Sequence, residues 1–287
     1  MPLRLGQRTF VDTDLLVMAV VNRTPDSFYD KGATFRDDAA YARIEHAIAE
    51  GADMIDIGGV KAGTGADVDE TEEIRRVVPF IAEVRRRHPD VILSVDTWRS
   101  RVGAAATDAG ADLLNDPWES HDPGLIEVAA RTGAGLVCTH AGHLSPRTDP
   151  DRPAYSDVTR DVVDTVTALA ERAVATGVRR DGILIDPGHD FGKTTRQSLQ
   201  VTRQLSALTQ TGWPVLVALS RKDFIGETLD LPVDERLEGT LAATAVSAWL
   251  GARVFRAHDV RATRRVLAMV ASIRGDRPPA VERRGLD

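Results

Sequence analysis

The sequence predicts an α/β fold, a single (β/α)8 TIM barrel with a short N-terminal hairpin. Eight short apolar runs alternate with helical patterns, which implies a parallel sheet. No Gly/Ser/Pro-rich linker interrupts that alternation, and a polar residue closes every apolar run. A chain of 287 residues suits one barrel. A doubly wound open sheet is the alternative. The barrel is read as one domain over residues 1–275. Residues 276–287, rich in Pro and Arg, are read as a frayed tail.

The opening segment LRLGQRTFVDTD reads as a hairpin with Gly6 and Gln7 at its turn, placed to cap the bottom of the barrel. The strands follow as LLVMAVVN, DMIDIGG, ILSVDT, LLND, GLVCTH, ILIDPG, VLVALS and VFRAHD. The first is apolar throughout, as a strand buried on both faces should be. DDAAYARIEHAIAEG and DETEEIRRVVPFIAEVRRR are amphipathic, and in the second Ile74, Val77, Val78 and Ile81 share one helical face. Later helices are expected over 157–177, 194–209, 233–250 and 261–273.

Composition narrows the function. The chain is 43% hydrophobic and 28% charged, with a formal net charge of −7. An acidic balance argues against a nucleic-acid partner or an anionic membrane surface. No run approaches the roughly 18 apolar residues of a membrane span. No basic segment followed by an apolar stretch opens the chain, so a cytoplasmic location is expected. The single cysteine, Cys138, sits in an apolar run and reads as a small core residue.

The apolar runs end at Asn22, Asp56, Asp96, Asn115 with Asp116, His140, Asp186, Ser220 and His258. Any one of these, taken alone, is explained by capping a helix or making a turn. In a barrel, all eight ends converge on the C-terminal face, where active sites of this fold lie. The expected pocket is lined with carboxylates, amides and imidazoles. Two motifs are set aside. DPGHDFGKT has three residues between Gly188 and Gly192 where a Walker A loop needs four, so it is not a nucleotide loop. His140 and His143 of HAGH lack a third zinc ligand.

NRTPDSF, DMIDIGG, SVDT, LLND, DPGHDFGKT, LSRKDFIG, ERLEGTLAA and RAHDV occur in an order and spacing that resemble the dihydropteroate synthase family, from about Leu15 to Ile273. That family joins hydroxymethyl-dihydropterin diphosphate to p-aminobenzoate with release of pyrophosphate, on a (β/α)8 barrel. The resemblance implies that Asp96, Asn115, Asp186 and Lys222 read the pterin edge, with Arg256 stacked on the ring. It assigns Lys222, Arg256 and Asp96 to catalysis, and Asn22, Arg256 and His258 to the pyrophosphate. It places Mg2+, carried with the pyrophosphate, at Asn22. It also implies a homodimer.

The departures gather on the acceptor side. After DIGG the family runs Glu-Ser-Thr-Arg-Pro-Gly, whereas here Ala62, Gly63 and Thr64 replace the Thr-Arg-Pro trio. Asp223 stands where the family has a Ser that helps bind the benzoate carboxylate. Thr139, His140 and Ala141 replace Met-His-Met, predicting a more polar, emptier wall. His189 and Asp190 replace Phe-Gly or Ile-Gly, and Phe191 is retained. In the first loop Arg23 replaces a small apolar residue, and Tyr29 and Lys31 also depart. The expectation is a pterin-diphosphate-binding protein with little or no turnover of p-aminobenzoate. The alternative is an active synthase in which Lys61, Arg221 or Arg23 compensates for Asp223.

Overall fold

The computed structural model describes residues 1–24, 37–61, 63, 65–148 and 154–284. The hairpin pairs β1 (Leu3–Leu5) with β2 (Arg8–Phe10), turning at Gly6 with φ of 51°. Eight parallel strands then form the barrel: β3 (Leu16–Asn22), β4 (Met54–Gly58), β5 (Ile92–Asp96), β6 (Leu113–Asp116), β7 (Gly135–Thr139), β8 (Ile183–Asp186), β9 (Leu216–Val217) and β10 (Val254–Ala257). They neighbour one another in the order β8-β7-β6-β5-β4-β3-β10-β9. A bridge between Ile185 and Val215, with Ile185 N–H donating to the Pro214 carbonyl at 3.0 Å, joins the two ends.

Side chains alternate between the lumen and the helical layer along every strand. The lower lumen is apolar: Leu16, Met18, Met54, Ile92, Leu113, Val137, Leu184, Leu216 and Val254 pack together, and Leu3, Leu5 and Phe10 of the hairpin plug them from below. Residues of opposite parity, such as Val17, Ile55, Leu93, Leu114, Cys138 and Phe255, pack in the larger cluster shared with the helices. Two residues further along, lumen positions turn polar on six of the eight strands, at Asp56, Ser94, Asn115, Thr139, Asp186 and Arg256. Parity therefore decides which strand-end residues face the mouth.

The helices are α1 (Asp37–Ala49), α2 (Glu70–Arg87), α3 (Ser100–Asp108), α4 (Gly124–Thr132), α5 (Val158–Thr176), α6 (Thr195–Arg203), α7 (Ser206–Thr209), α8 (Asp223–Leu229), α9 (Leu237–Trp249) and α10 (Val260–Arg274). Asp69 caps α2 by accepting the Glu72 N–H, with acids in its first turn and Arg85, Arg86 and Arg87 in its last. Val77 and Ile81 are buried on that helix, with Ile74 and Val78 partly so, as the spacing predicts. The expected helix over 194–209 breaks into α6 and α7, where the Leu205, Ala207 and Leu208 amides bond three residues back instead of four. The expected strand at 215–220 shortens to β9, since its last residues leave the ladder to form the mouth. The short helices α3, α4 and α8 have too few turns for the periodicity to single them out. Past Gly275, whose φ of 80° ends α10, residues 276–284 form no helix or strand.

Candidate functional site at the barrel mouth

Arg256 dominates the lumen above the apolar plug. β10 carries it at lumen parity, and its guanidinium spans two carboxylates: Nε donates to Asp56 at 2.6 Å and Nη2 to Asp96 at 2.7 Å. Asp56 also accepts from Ser94 Oγ at 2.6 Å and from Asn115 Nδ2 at 3.1 Å. Burial works against the charge on Arg256, but Asp56 and Asp96 outweigh it and hold its pKa above the usual value. Burial pushes Asp96 up to about 7, opposed by Arg256 and reinforced by Asp56.

Across the mouth, Asp186 closes β8 and accepts the Gly188 N–H at 2.7 Å. Burial raises its pKa and the charge of Lys222 lowers it. Lys222 precedes α8, donates to the His189 carbonyl, and sets Nζ 4.8 Å from the Phe191 ring centroid. Gly58 keeps a narrow space open: a Cβ there would lie 3.7 Å from Asn22 Oδ1 and 3.8 Å from Asp96 Oδ2. Both oxygens line the space above Gly58. His258 Nδ1 lies 2.9 Å from Ser220 Oγ, which also accepts the His258 N–H. Burial, then Arg256 and Arg221, lower the His258 pKa to about 3, so the ring is neutral. A neutral ring that accepts the serine proton at Nδ1 carries its own N–H at Nε2.

The structure thus brings Asn22, Asp96, Asn115, Asp186, Lys222, Arg256 and His258 to one mouth. Two of the strand-end residues do something else. Asp116 and His140 have the opposite parity and support loops. Asp116 accepts the Trp118 and Ser120 N–H groups at 2.9 and 2.8 Å. His140 bridges Asp161 of α5 and Lys193, at 2.8 and 2.6 Å. Lys193 also donates to the Gly188 and Phe191 carbonyls at 2.9 and 3.0 Å, holding the loop that carries Phe191 from beneath. Asp56 is the residue that the candidate set omitted. Its polar position inside an apolar strand, at the parity of Asp96 and Arg256, was the available signal.

The acceptor side is rebuilt by long-range pairings. Ala62 and Thr64 lie outside the described residues, as does the first loop from Pro25 to Arg36, including Tyr29 and Lys31. Among the described residues, Arg147 donates to the Gly63 and Ala66 carbonyls at 3.3 and 2.9 Å, and Arg99 donates to Val68 O at 2.8 Å and pairs with buried Glu73 at 2.6 Å. The wall is not emptied by the loss of methionines: Trp98 and Trp118 pack with Val60, Val68 and Ala141 in its place, and Trp118 meets Phe191 edge-on at 5.1 Å. The partner of Asp223 is Arg236, whose Nη1 donates to it at 2.7 Å. Of the expected compensators, Arg221 pairs with Asp259 at 3.0 Å, and Arg23 pairs with Asp37 and lies over the Phe80 ring.

The fold and this mouth define a class: (β/α)8-barrel proteins that hold a polar ligand against buried carboxylates and a guanidinium. The sequence pattern of the family described as "Pterin binding enzyme" matches residues 18–258. The chain belongs to that family, as a diverged member of its dihydropteroate synthase group. A Mycobacterium leprae protein named "Inactive dihydropteroate synthase 2" is 60% identical over 275 residues, 94% of this chain and 94% of its own. The "Dihydropteroate synthase" of Haemophilus influenzae is 37% identical over 86% of this chain and 90% of its own. Among solved structures, a Yersinia pestis dihydropteroate synthase with a sulfonamide drug complex matches with a TM-score of 0.90 at 34% identity, covering 96% of this chain and 100% of that one. A Xanthomonas albilineans dihydropteroate synthase with 4-aminobenzoic acid matches with a TM-score of 0.86 at 35% identity, covering 98% and 99%.

Proposed function

We propose that this chain binds a pterin diphosphate in the barrel mouth and condenses it with p-aminobenzoate weakly or not at all. The observation that carries the reading is the asymmetry of the mouth. The strand-borne set is complete, with Asp96, Asn115 and Asp186 around Arg256 and Lys222 reaching in from the start of α8, while the loop-borne side departs in both sequence and pairing. A pterin presents an edge of N–H donors beside a carbonyl. Carboxylates at Asp96 and Asp186 accept from such an edge, Asn115 does both, and Lys222 donates to the carbonyl. Arg256, tied flat between Asp56 and Asp96, offers its face to the ring. The relatives named inactive, at 60% identity, support the second half of the reading.

The diphosphate would lie toward Asn22, Arg256 and the His258 N–H. Among the described residues no cluster of three His, Cys, Asp or Glu side chains forms a resident metal site. The side-chain oxygen of Asn22, at the open space above Gly58, would hold a magnesium ion that arrives with the diphosphate, since Mg2+ commonly takes one or two protein oxygens and fills its shell with phosphate and water. When bound, it neutralises leaving-group charge. The chain's own part is to hold the pterin carbon facing the acceptor side and to donate to the departing oxygens. A homodimer is supported by exposed apolar residues on two adjacent helices: Val246 and Trp249 of α9, and Met269 and Ile273 of α10. Among the described residues no helix is long and apolar enough to cross a membrane, in keeping with a cytoplasmic protein.

The test combines calorimetric titration with the pterin diphosphate and a pyrophosphate-release assay with p-aminobenzoate. Tight binding without release is expected. Turnover on the order of 1 per second or faster would reassign the chain as a working synthase.

A further inference from the structure

We infer that the acceptor side of this mouth takes an aromatic amine lacking a carboxylate, neutral or cationic, because the chain's own Asp190 and Asp223 already occupy the donors there. The inference rests on the reading of the mouth as a pterin site with an acceptor beside it.

Asp190 is held at a backbone cost. Its φ is 68°, the left-handed region that glycine adopts freely. A non-glycine there is disfavoured, and such outliers cluster where a side chain has a task. The side chain reaches across to α8: Oδ2 accepts the Phe224 N–H at 3.3 Å, while Oδ1 accepts from Ser198 Oγ at 3.2 Å. A carboxylate of the chain itself therefore lies on the first-turn amide that follows Lys222.

The second donor is also taken, because Asp223 Oδ1 accepts from Arg236 Nη1 at 2.7 Å. Arg236 is further tied to the Leu231 and Arg221 carbonyls at 3.1 and 3.0 Å. Lys222 thus has Asp186, Asp190 and Asp223 around it, and its Nζ already donates to the His189 carbonyl. An incoming carboxylate would meet carboxylates where it needs donors; Asp223 is mostly exposed and offset by Arg236, so the half-buried Asp190 is the main source of the like-charge repulsion. What the side does offer is flat and apolar. Phe191 and Trp118 meet edge-on, and the indole N–H of Trp118 is buried without an acceptor among the described residues.

The test uses three probes of one size: p-aminobenzoate, p-aminobenzamide and p-aminobenzamidine. Each is titrated into the whole protein by calorimetry with 6-hydroxymethylpterin, pyrophosphate and magnesium present. The amide and amidine should bind at least about tenfold tighter than the benzoate. In Asp190→Gly/Asp223→Ser the gap should shrink to about threefold or less. Asp190→Asn, which keeps a hydrogen-bonding oxygen without the charge, should shrink it part of the way. Benzoate binding as tightly as the amide in the unaltered protein overturns the inference, as does a gap that the double variant leaves unchanged. Binding of the pterin with none of the three probes overturns it too, while leaving the pterin reading in place. Failure of the pterin itself to bind removes that reading and this inference together.

Discussion

The two halves of the mouth are built differently. The pterin half is carried by strands: Asp56, Asp96, Asn115, Asp186 and Arg256 all project at lumen parity, and the ladder fixes their spacing. The acceptor half is carried by loops and by the start of α8. Its geometry depends on side chains reaching across the molecule, Arg236 to Asp223 and Arg147 to the loop after β4. A half made of strands cannot change without disturbing the barrel. A half made of loops can be rewritten by a few substitutions at little structural cost. That difference explains how a chain keeps the ionic centre of its family while the neighbouring pocket diverges.

The largest effect should come from the strand half. Asp56→Ala leaves the Arg256 guanidinium with one carboxylate and removes the acceptor of Ser94 and Asn115. Breaking a buried ion pair from one side costs about 3–5 kcal/mol. Urea denaturation of the variant measures it. A loss below about 1 kcal/mol, the size of an exposed pair, would place Arg256 in contact with water and weaken the contrast between the two halves.

Next comes ligand recognition. Asp186→Asn replaces an acceptor-only carboxylate with an amide that brings its own donors to the pterin edge. Pterin affinity should fall by about tenfold or more, the worth of a charged hydrogen bond near 1.5–3 kcal/mol. Equal affinity by calorimetry would show that the pterin does not lie against β8.

The strand half was largely legible in the sequence for the reason that makes it rigid. Apolar runs closed by Asn22, Asp96, Asn115, Asp186 and His258 locate strands, and barrel topology alone brings their ends together. Parity separates these residues from Asp116 and His140, which were equally polar and equally placed but support loops. Asp56 was in view as a strand end, yet its central place appears only once Arg256 is seen to cross the lumen. The loop half was not legible in the same way. That Asp223 differs from the family could be read directly. That Arg236 answers it could not, because thirteen residues and a turn of chain separate them, and their meeting depends on how α8 and α9 pack. The wall behind Ala141 went the same way: lost methionines predict a gap, and two tryptophans from other loops fill it.

Acid should loosen the molecule through its buried imidazoles. His258 and His140 have folded pKa values lowered to about 3 and about 4, from an ordinary 6.5, first by burial. As pH falls below 6.5 the unfolded chain takes up protons at these positions before the folded chain does. Stability contributed by the neutral rings is complete above that pH, and is lost progressively down to about 4 and 3. Melting curves between pH 7 and pH 4.5 in His258→Gln should show a shallower decline than in the unaltered protein. Parallel declines would mean that His258 keeps its ordinary pKa in the fold.

The smallest effect tests whether the halves are energetically separate. Thr194 caps α6 in a capping box with Gln197, accepting its N–H at 3.3 Å and donating its own N–H to the Gln197 side chain at 2.8 Å. It directly follows Lys193 and so anchors the loop that carries His189, Asp190 and Phe191. Thr194→Ala removes the hydroxyl and should lower global stability by about 1 kcal/mol. If the pterin half is held by strands, the dissociation constant for 6-hydroxymethylpterin should stay within about twofold, well under the tenfold worth 1.4 kcal/mol. Probes of the acceptor side, which rest on Phe191, should weaken by more than the pterin does. A pterin constant that moves as far as the acceptor constant would mean that the 187–193 loop positions both ligands, and the division between a strand-built half and a loop-built half would fail.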